Sequence, residues 1–243
     1  MPHFFIKSSQ VSDNIITIDD KENYTHIAKS LRVRVGESLS FCDETELIYK
    51  TKIAEVTKHE IKAEVLEIVK STRKLDFNLS IAQSPLRSDA QLTLVEKATE
   101  LGVNEIFPIH TKFCALAKHV ANSKVEKWQK TMYEASKQCE RANIPVCHSL
   151  TTIEELPYFR FDKVLVFAER FDEMSLKQFV SKNPISKGEN ILAIIGPEGG
   201  FSDKEFEWFK EKGLPLLSLG KLILKAETAS ITGIGNLIYG YSE

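Results

Sequence analysis

The chain has 243 residues, 42% of them apolar and 27% charged, enough for one large domain or two modest ones with a real core. Its net charge of −2, and the 10 Lys+Arg against 12 Asp+Glu in residues 1–72, exclude a generic nucleic-acid binder held by a global field, so any RNA contact must come from local clustering. No apolar run approaches the ~18 residues of a membrane span, Met1 to Phe5 lacks a signal-peptide layout, and Cys42, Cys114, Cys139 and Cys147 form no C-x-x-C pair, which argues against zinc or disulfides and suits a reducing cytoplasm.

Residues 1 to about 70 read as strands with one helix. Asn14 to Ile18, Ser38 to Cys42, Leu47 to Val56 and Glu60 to Val69 are β-rich, the last two partly alternating like a half-exposed sheet. Asp19 or Asp20 caps a short helix over Lys21 to Lys29. So many short strands in so little chain predict a small barrel. Lys29, Arg32 and Arg34 gather near one turn, which reads either as a solvated face or as an RNA contact. Ser71 to Lys74 is a polar linker. Beyond it the rhythm becomes strand–helix alternation. Phe77 to Ala82 is a strand, Gln91 to Leu101 a helix closed by Gly102, Glu105 to Ile109 a strand, and Val125 to Arg141 a long helix with Trp128, Met132 and Ala135 at core spacing. Lys163 to Ala168 is a further buried strand, and a last helix runs from Ala226 to Tyr239. Such alternation implies a mainly parallel sheet covered on both faces.

The stretch from Asn190 to Ile231 carries most of the chemistry. Ile191 to Ile195 is a buried parallel strand ending in Gly196-Pro197-Glu198-Gly199-Gly200, and Ser202 and Glu205 then open a helix with capping-box spacing. A second apolar run, Leu214 to Leu219, ends at Gly220 and leads to Lys225-Ala226-Glu227-Thr228-Ala229. Two strand ends with glycine turns form an α/β ligand site, or an ordinary βαβ unit with tight turns; spacing alone leaves both open. The known phosphate fingerprints are absent, and Gly233-Ile234-Gly235 lies inside a helix with Ile238 where a third glycine belongs.

With these segments placed, the chain resembles the SPOUT methyltransferases, specifically the RsmE-type 16S ribosomal RNA uridine-N3 methyltransferases. The likeness rests on His26…Leu31-Arg32, Lys97 to Val103, Glu134-Ala135…Gln138-Cys139…Arg141…Pro145, Ile195 to Phe201, and Leu219-Gly220…Ile223-Leu224…Glu227-Thr228-Ala229, in order. It implies a PUA-like RNA-binding β-barrel over 1–72, then a SPOUT α/β trefoil-knot methyltransferase domain over 73–243. It also implies a cytoplasmic homodimer that uses S-adenosylmethionine on the 16S RNA of the small subunit, with no metal. The family usually reads L-G-x-R-I-L-R-x-E-T-A. Here Leu222 and Lys225 replace the two arginines, Phe113 stands where an arginine is common, and Ala90 where a basic residue is expected.

The resemblance assigns cofactor binding to Gly196, Pro197, Glu198, Gly199, Gly200, Leu217, Leu219, Gly220, Ile223, Leu224, Glu227, Thr228 and Ala229. No histidine falls in these motifs, so the proton on uridine N3 has no obvious base. Cations stabilising the developing uracil anion are the alternative. Lys225 and Arg141 are the catalytic candidates, and Lys29, Arg32 and Arg34 the RNA-binding ones; Arg32 is also a candidate for the anion. A cation facing a helix C-terminus is the other reading of Arg141. Rival functions are methylation of ribose 2′-O or another RNA position, a non-catalytic RNA-binding assembly factor, and a nucleotide-binding enzyme using the helix start after Gly199-Gly200 for phosphate. The last helix is expected at the dimer interface, its Ile231, Ile234, Leu237 and Ile238 spreading over more than one face.

Overall fold

The computed structural model describes residues 3–169 and 174–241 and divides the chain into two units. The first comprises residues 1–74 together with 136–144, the second residues 75–135 and 145–243.

Six strands make the sheet of the first unit: β1 Phe4–Phe5, β2 Val11–Ser12, β3 Ile15–Ile18, β4 Ser38–Cys42, β5 Leu47–Val56 and β6 Ile61–Lys70, in the order β1-β4-β5-β6-β3-β2. All neighbours are antiparallel except β1, which runs parallel to β4 with Phe4 opposite Phe41. Register shifts at Lys50/Thr51 and Ile53/Glu55 bend the long β5–β6 pair, and the curled sheet closes over Phe4, Ile16, Ile18, Phe41, Tyr49, Ile53 and Ile61. The expected first helix splits in two. Asp20 accepts from the Asn23 amide and starts α1, Lys21–Tyr24, after which Thr25–Ser30 continues as a π turn in which the Leu31 amide bonds the His26 carbonyl. Between β4 and β5 the buried Asp43 carboxylate accepts from the Tyr49 hydroxyl at 2.7 Å, from the Thr45 hydroxyl and from the Thr45 and Leu47 amides. Burial opposes its charge, but these hydrogen bonds outweigh it and hold the carboxyl below its usual pKa.

The second unit has a wholly parallel sheet of β7 Asn78–Gln83, β8 Glu105–Pro108, β9 Val146–Cys147, β10 Lys163–Phe167, β11 Asn190–Ile195 and β12 Leu216–Leu217, ordered β12-β10-β11-β7-β8-β9. Strand β11 shows why the sequence has no polar alternation here. Ile191, Ala193 and Ile195 pack in one cluster with Leu79, Ile81, Trp128 and Met132, while Leu192 and Ile194 pack on the other face with Phe107 and Phe209. Helices α2 Ser88–Glu100, α3 Lys118–Ser123, α4 Val125–Gln138, α5 Leu176–Lys182, α6 Asp203–Glu211 and α7 Ala226–Tyr241 complete the unit, apart from the last turn of α4, which belongs to the first.

The long central helix stops at Gln138, short of the expected Arg141, because Glu140 takes φ +59 and residues 136–144 join the first unit. There His3 Nε2 meets the Arg141 carbonyl at 2.6 Å, and the Cys42 thiol faces the Ala142 carbonyl. Strand β12 covers two residues of the six-residue apolar run, since only Leu216 and Leu217 pair with Val166 and Phe167. Strands β1, β2 and β9 and helices α3 and α5 are too short or too irregular to show in a periodicity window.

Candidate active site at the strand ends

Parallel pairing aligns Leu217, Phe167, Ile195 and Gln83 in one row across β12, β10, β11 and β7. Past this row the strands give way to loops, and a cavity of about 910 Å³ opens there, within the usual range for small-molecule sites. Its lining includes Phe167, Ala168 and Glu169 after β10, Ile195 to Phe201 after β11, and Leu217, Leu219 and Gly220 after β12. Leu222 to Glu227, Ala229, Asp203, Phe206 and Ala90 complete it.

Two glycines are required by backbone conformation, Gly200 at φ +68 and Gly220 at φ +140, both in the region that favours glycine. Gly199 is required by space: a Cβ there would lie 2.9 Å from Phe113 Cβ. Glu205 does more than cap α6. One carboxylate oxygen accepts from the Ser202 amide at 2.7 Å, and the other accepts from the Lys112 amide at 2.9 Å.

A buried network holds the cavity's walls together. The Gln83 side-chain amide donates to the Gly196 carbonyl at 2.9 Å, and its oxygen accepts from the Ser230 hydroxyl of α7 at 2.6 Å. Both side chains are fully buried. Sequence reasoning missed both; the signals were an amide closing a strand that is buried from Leu79 on, and a serine in a largely apolar helix.

Of the residues that the resemblance assigns to the cofactor, Gly196, Pro197, Glu198, Gly199, Gly200, Leu217, Leu219, Gly220, Ile223, Leu224, Glu227 and Ala229 all line this cavity, whereas Thr228 is exposed on α7 outside it. Lys225 lines it and starts α7, its carbonyl accepting from the Ala229 amide at 2.8 Å. Arg141 is not in the lining. It is buried in the first unit with Nε and Nη2 each 3.3 Å from Asn143 Oδ1, and burial lowers its pKa. Lys29 is exposed near the end of the π turn and Arg32 and Arg34 on the loop that follows it in the first unit, and no ion pair among the described residues involves them. Arg32 takes φ +54, an unusual conformation for a side-chain-bearing residue. Among the described residues no cluster of His, Cys, Asp and Glu could hold a metal, and no helix is long and apolar enough to cross a membrane.

Known proteins resemble the chain over nearly its whole length. A family model described as an RNA methyltransferase PUA domain matches residues 18–66, and one described as an RNA methyltransferase domain matches residues 73–238. The chain is 25% identical over 234 residues to ribosomal RNA small subunit methyltransferase E of Rickettsia conorii, covering 96% of this chain and 93% of that protein. It is 27% identical over 226 residues to the Bacillus subtilis protein of the same name, covering 90% and 88%. A crystal structure of ribosomal RNA small subunit methyltransferase E from Neisseria gonorrhoeae, bound to S-adenosyl methionine, superposes with a TM-score of 0.81 at 24% identity, covering 98% of this chain and 96% of that one. With that domain reaching from the strand before the cavity into α7, the chain belongs to the RNA methyltransferase family.

Proposed function

We propose that the protein methylates N3 of a uridine in 16S ribosomal RNA of the small subunit, using S-adenosylmethionine, as a cytoplasmic homodimer. The observation that carries this reading is the charge of the cavity lining among the described residues: four carboxylates, Glu169, Glu198, Asp203 and Glu227, against one ammonium, Lys225. Such a wall suits a sulfonium cation and repels a polyphosphate. The helix start after Gly200 is also answered already by Asp203 and Glu205, which removes the attraction it would offer to a nucleotide phosphate. Ile195, Leu217, Leu219 and Leu224 offer an apolar slot for an adenine ring, and the loop backbones offer donors and acceptors for its edge. The relatives are named as methyltransferases of small-subunit ribosomal RNA, which supports the RNA part of this reading.

The cofactor supplies an electrophilic methyl group; the protein's task is to orient the base and balance charge. Among the described residues no histidine lines the cavity. Lys225, at the junction of the loop and α7, is the group that would stabilise negative charge developing on the uracil ring. Arg141 is the second candidate. The barrel of residues 1–72 would hold the RNA through Lys29, Arg32 and Arg34, and the knotted domain of residues 73–243 would transfer the methyl group.

Helix α7 supports the homodimer. Ile234 and Leu237 are buried in the unit's own core, but Ile231 and Ile238 are only half-buried and Tyr239 is 80% exposed. Gly235 shares that face with Thr228, Ile231, Thr232 and Tyr239, and a Cβ on it would meet nothing within 4 Å. A glycine inside a helix costs about 1 kcal/mol relative to alanine, and a second copy of α7 approaching closely would account for it.

Small subunits from cells lacking the gene, incubated with the protein and labelled S-adenosylmethionine, should gain one N3-methyluridine, located by mass spectrometry of the 16S RNA. Label on a ribose 2′-O, or none at all, would overturn this reading.

A further inference from the structure

We propose that Phe113 is the platform on which the target base stacks, an inference that rests on the methylation reading above. Phe113 is 48% exposed, a costly state for a large apolar residue, and no other ring packs on it among the described residues. Its main chain is nevertheless held on both sides. The Lys112 amide donates to Glu205 at 2.9 Å, the buried Thr111 hydroxyl pairs with that of Ser84 at 2.8 Å, and the Cys114 amide closes a turn onto the Thr111 carbonyl.

These bonds fix the main chain that carries the ring next to the cavity-lining Gly199: a Cβ built on Gly199 would lie 2.9 Å from Phe113 Cβ and 3.6 Å from its Cγ. A half-exposed flat ring on a fixed main chain, packed against a glycine of the proposed methyl-donor site, matches how single-stranded RNA bases are held. A splayed base lays its π-face on an aromatic side chain and leaves its edges free for chemistry. Uracil N3 lies on such an edge, so stacking on Phe113 would present it without blocking it. Phe113 is therefore assigned as a positioning residue that contacts the base, and S-adenosylmethionine binding is independent of its aromaticity.

The test compares Phe113→Leu, which keeps apolar cover over Gly199 but has no π-face, with Phe113→Trp, which keeps one. Single-turnover methylation of small subunits from cells lacking the gene is measured at saturating S-adenosylmethionine, with cofactor affinity from calorimetry. The Leu variant should lose about tenfold or more in rate over half-saturating subunit concentration, and Trp should stay near wild type. Cofactor affinity should be unchanged in both. In parallel, 4-thiouridine-substituted oligouridylate, irradiated with the wild-type protein, should cross-link at Phe113. A Leu variant with wild-type activity, equal losses in Leu and Trp, or a loss of cofactor affinity that matches the loss of rate would each overturn the proposal. A wild-type protein that transfers no methyl group would refute the methylation reading. In that event the cross-link still decides the stacking: at Phe113 it sustains it, elsewhere it refutes it.

Discussion

At the scale of single residues, two cations differ in what their removal should do. Lys225 lines the cavity, and its main chain is fixed by the first turn of α7. Lys225→Met keeps much of the stem and removes the charge. Single-turnover rates should fall by about 10²–10³ with cofactor affinity unchanged, if the ammonium acts in the transition state. A rate and salt dependence equal to wild type would remove Lys225 from the mechanism and leave Arg141 and Arg32 as candidates. Arg32 is exposed on its loop and adopts φ +54. Retaining an arginine there costs on the order of 1 kcal/mol of backbone strain. Arg32→Gly should therefore leave stability unchanged or raise it by up to about 1 kcal/mol in urea titration, while lowering the salt slope of RNA binding by about one contact. A variant less stable than wild type, with an unaltered slope, would show that the strained arginine serves the fold.

At the scale of elements, two of the three glycines of α7 carry opposite expectations. A Cβ on Gly233 would lie 2.1 Å from Phe167 Cε2, and Phe167 is both a core residue and part of the cavity wall. Gly233→Ala should cost about 1–3 kcal/mol by overpacking and should weaken cofactor binding, because the ring has to move. Gly235 meets nothing, so Gly235→Ala should stabilise the dilute monomer by about 0.5–1 kcal/mol. Gly235→Trp should instead lower dimer affinity in sedimentation velocity at micromolar concentration. If the Trp variant forms the same dimer as wild type, α7 is not the contact. The pair Gly233-Ile234-Gly235 has nothing to do with a nucleotide fingerprint. Its first glycine is there for helix-to-strand packing, which the G-x-G spacing by itself does not reveal.

At the scale of the whole molecule, a ligand that binds only the folded cavity raises its melting temperature. At a hundred times its dissociation constant it adds about 2.7 kcal/mol, or roughly 5–10 °C for a chain of this size. S-adenosylmethionine should produce such a shift and ATP at the same concentration should not; the reverse result would revive the phosphate-binding reading. Much of this architecture was legible without coordinates. Strand–helix alternation identified the parallel sheet, because strands buried on both faces must be apolar throughout, and glycines at two strand ends marked the tight turns where the cavity lies, without by themselves separating a ligand site from an ordinary βαβ unit. These are local constraints, written within a dozen residues. Tertiary structure alone decided which distant residues share the site. Gln83 reaches Gly196 across 113 positions and Ser230 across 147, and the amide of Lys112 reaches Glu205 across 93, so that Phe113 is fixed against Gly199. Periodicity and turn chemistry carry no information at those separations; hydrogen bonds and packing form there only once the sheet has brought its strand ends side by side.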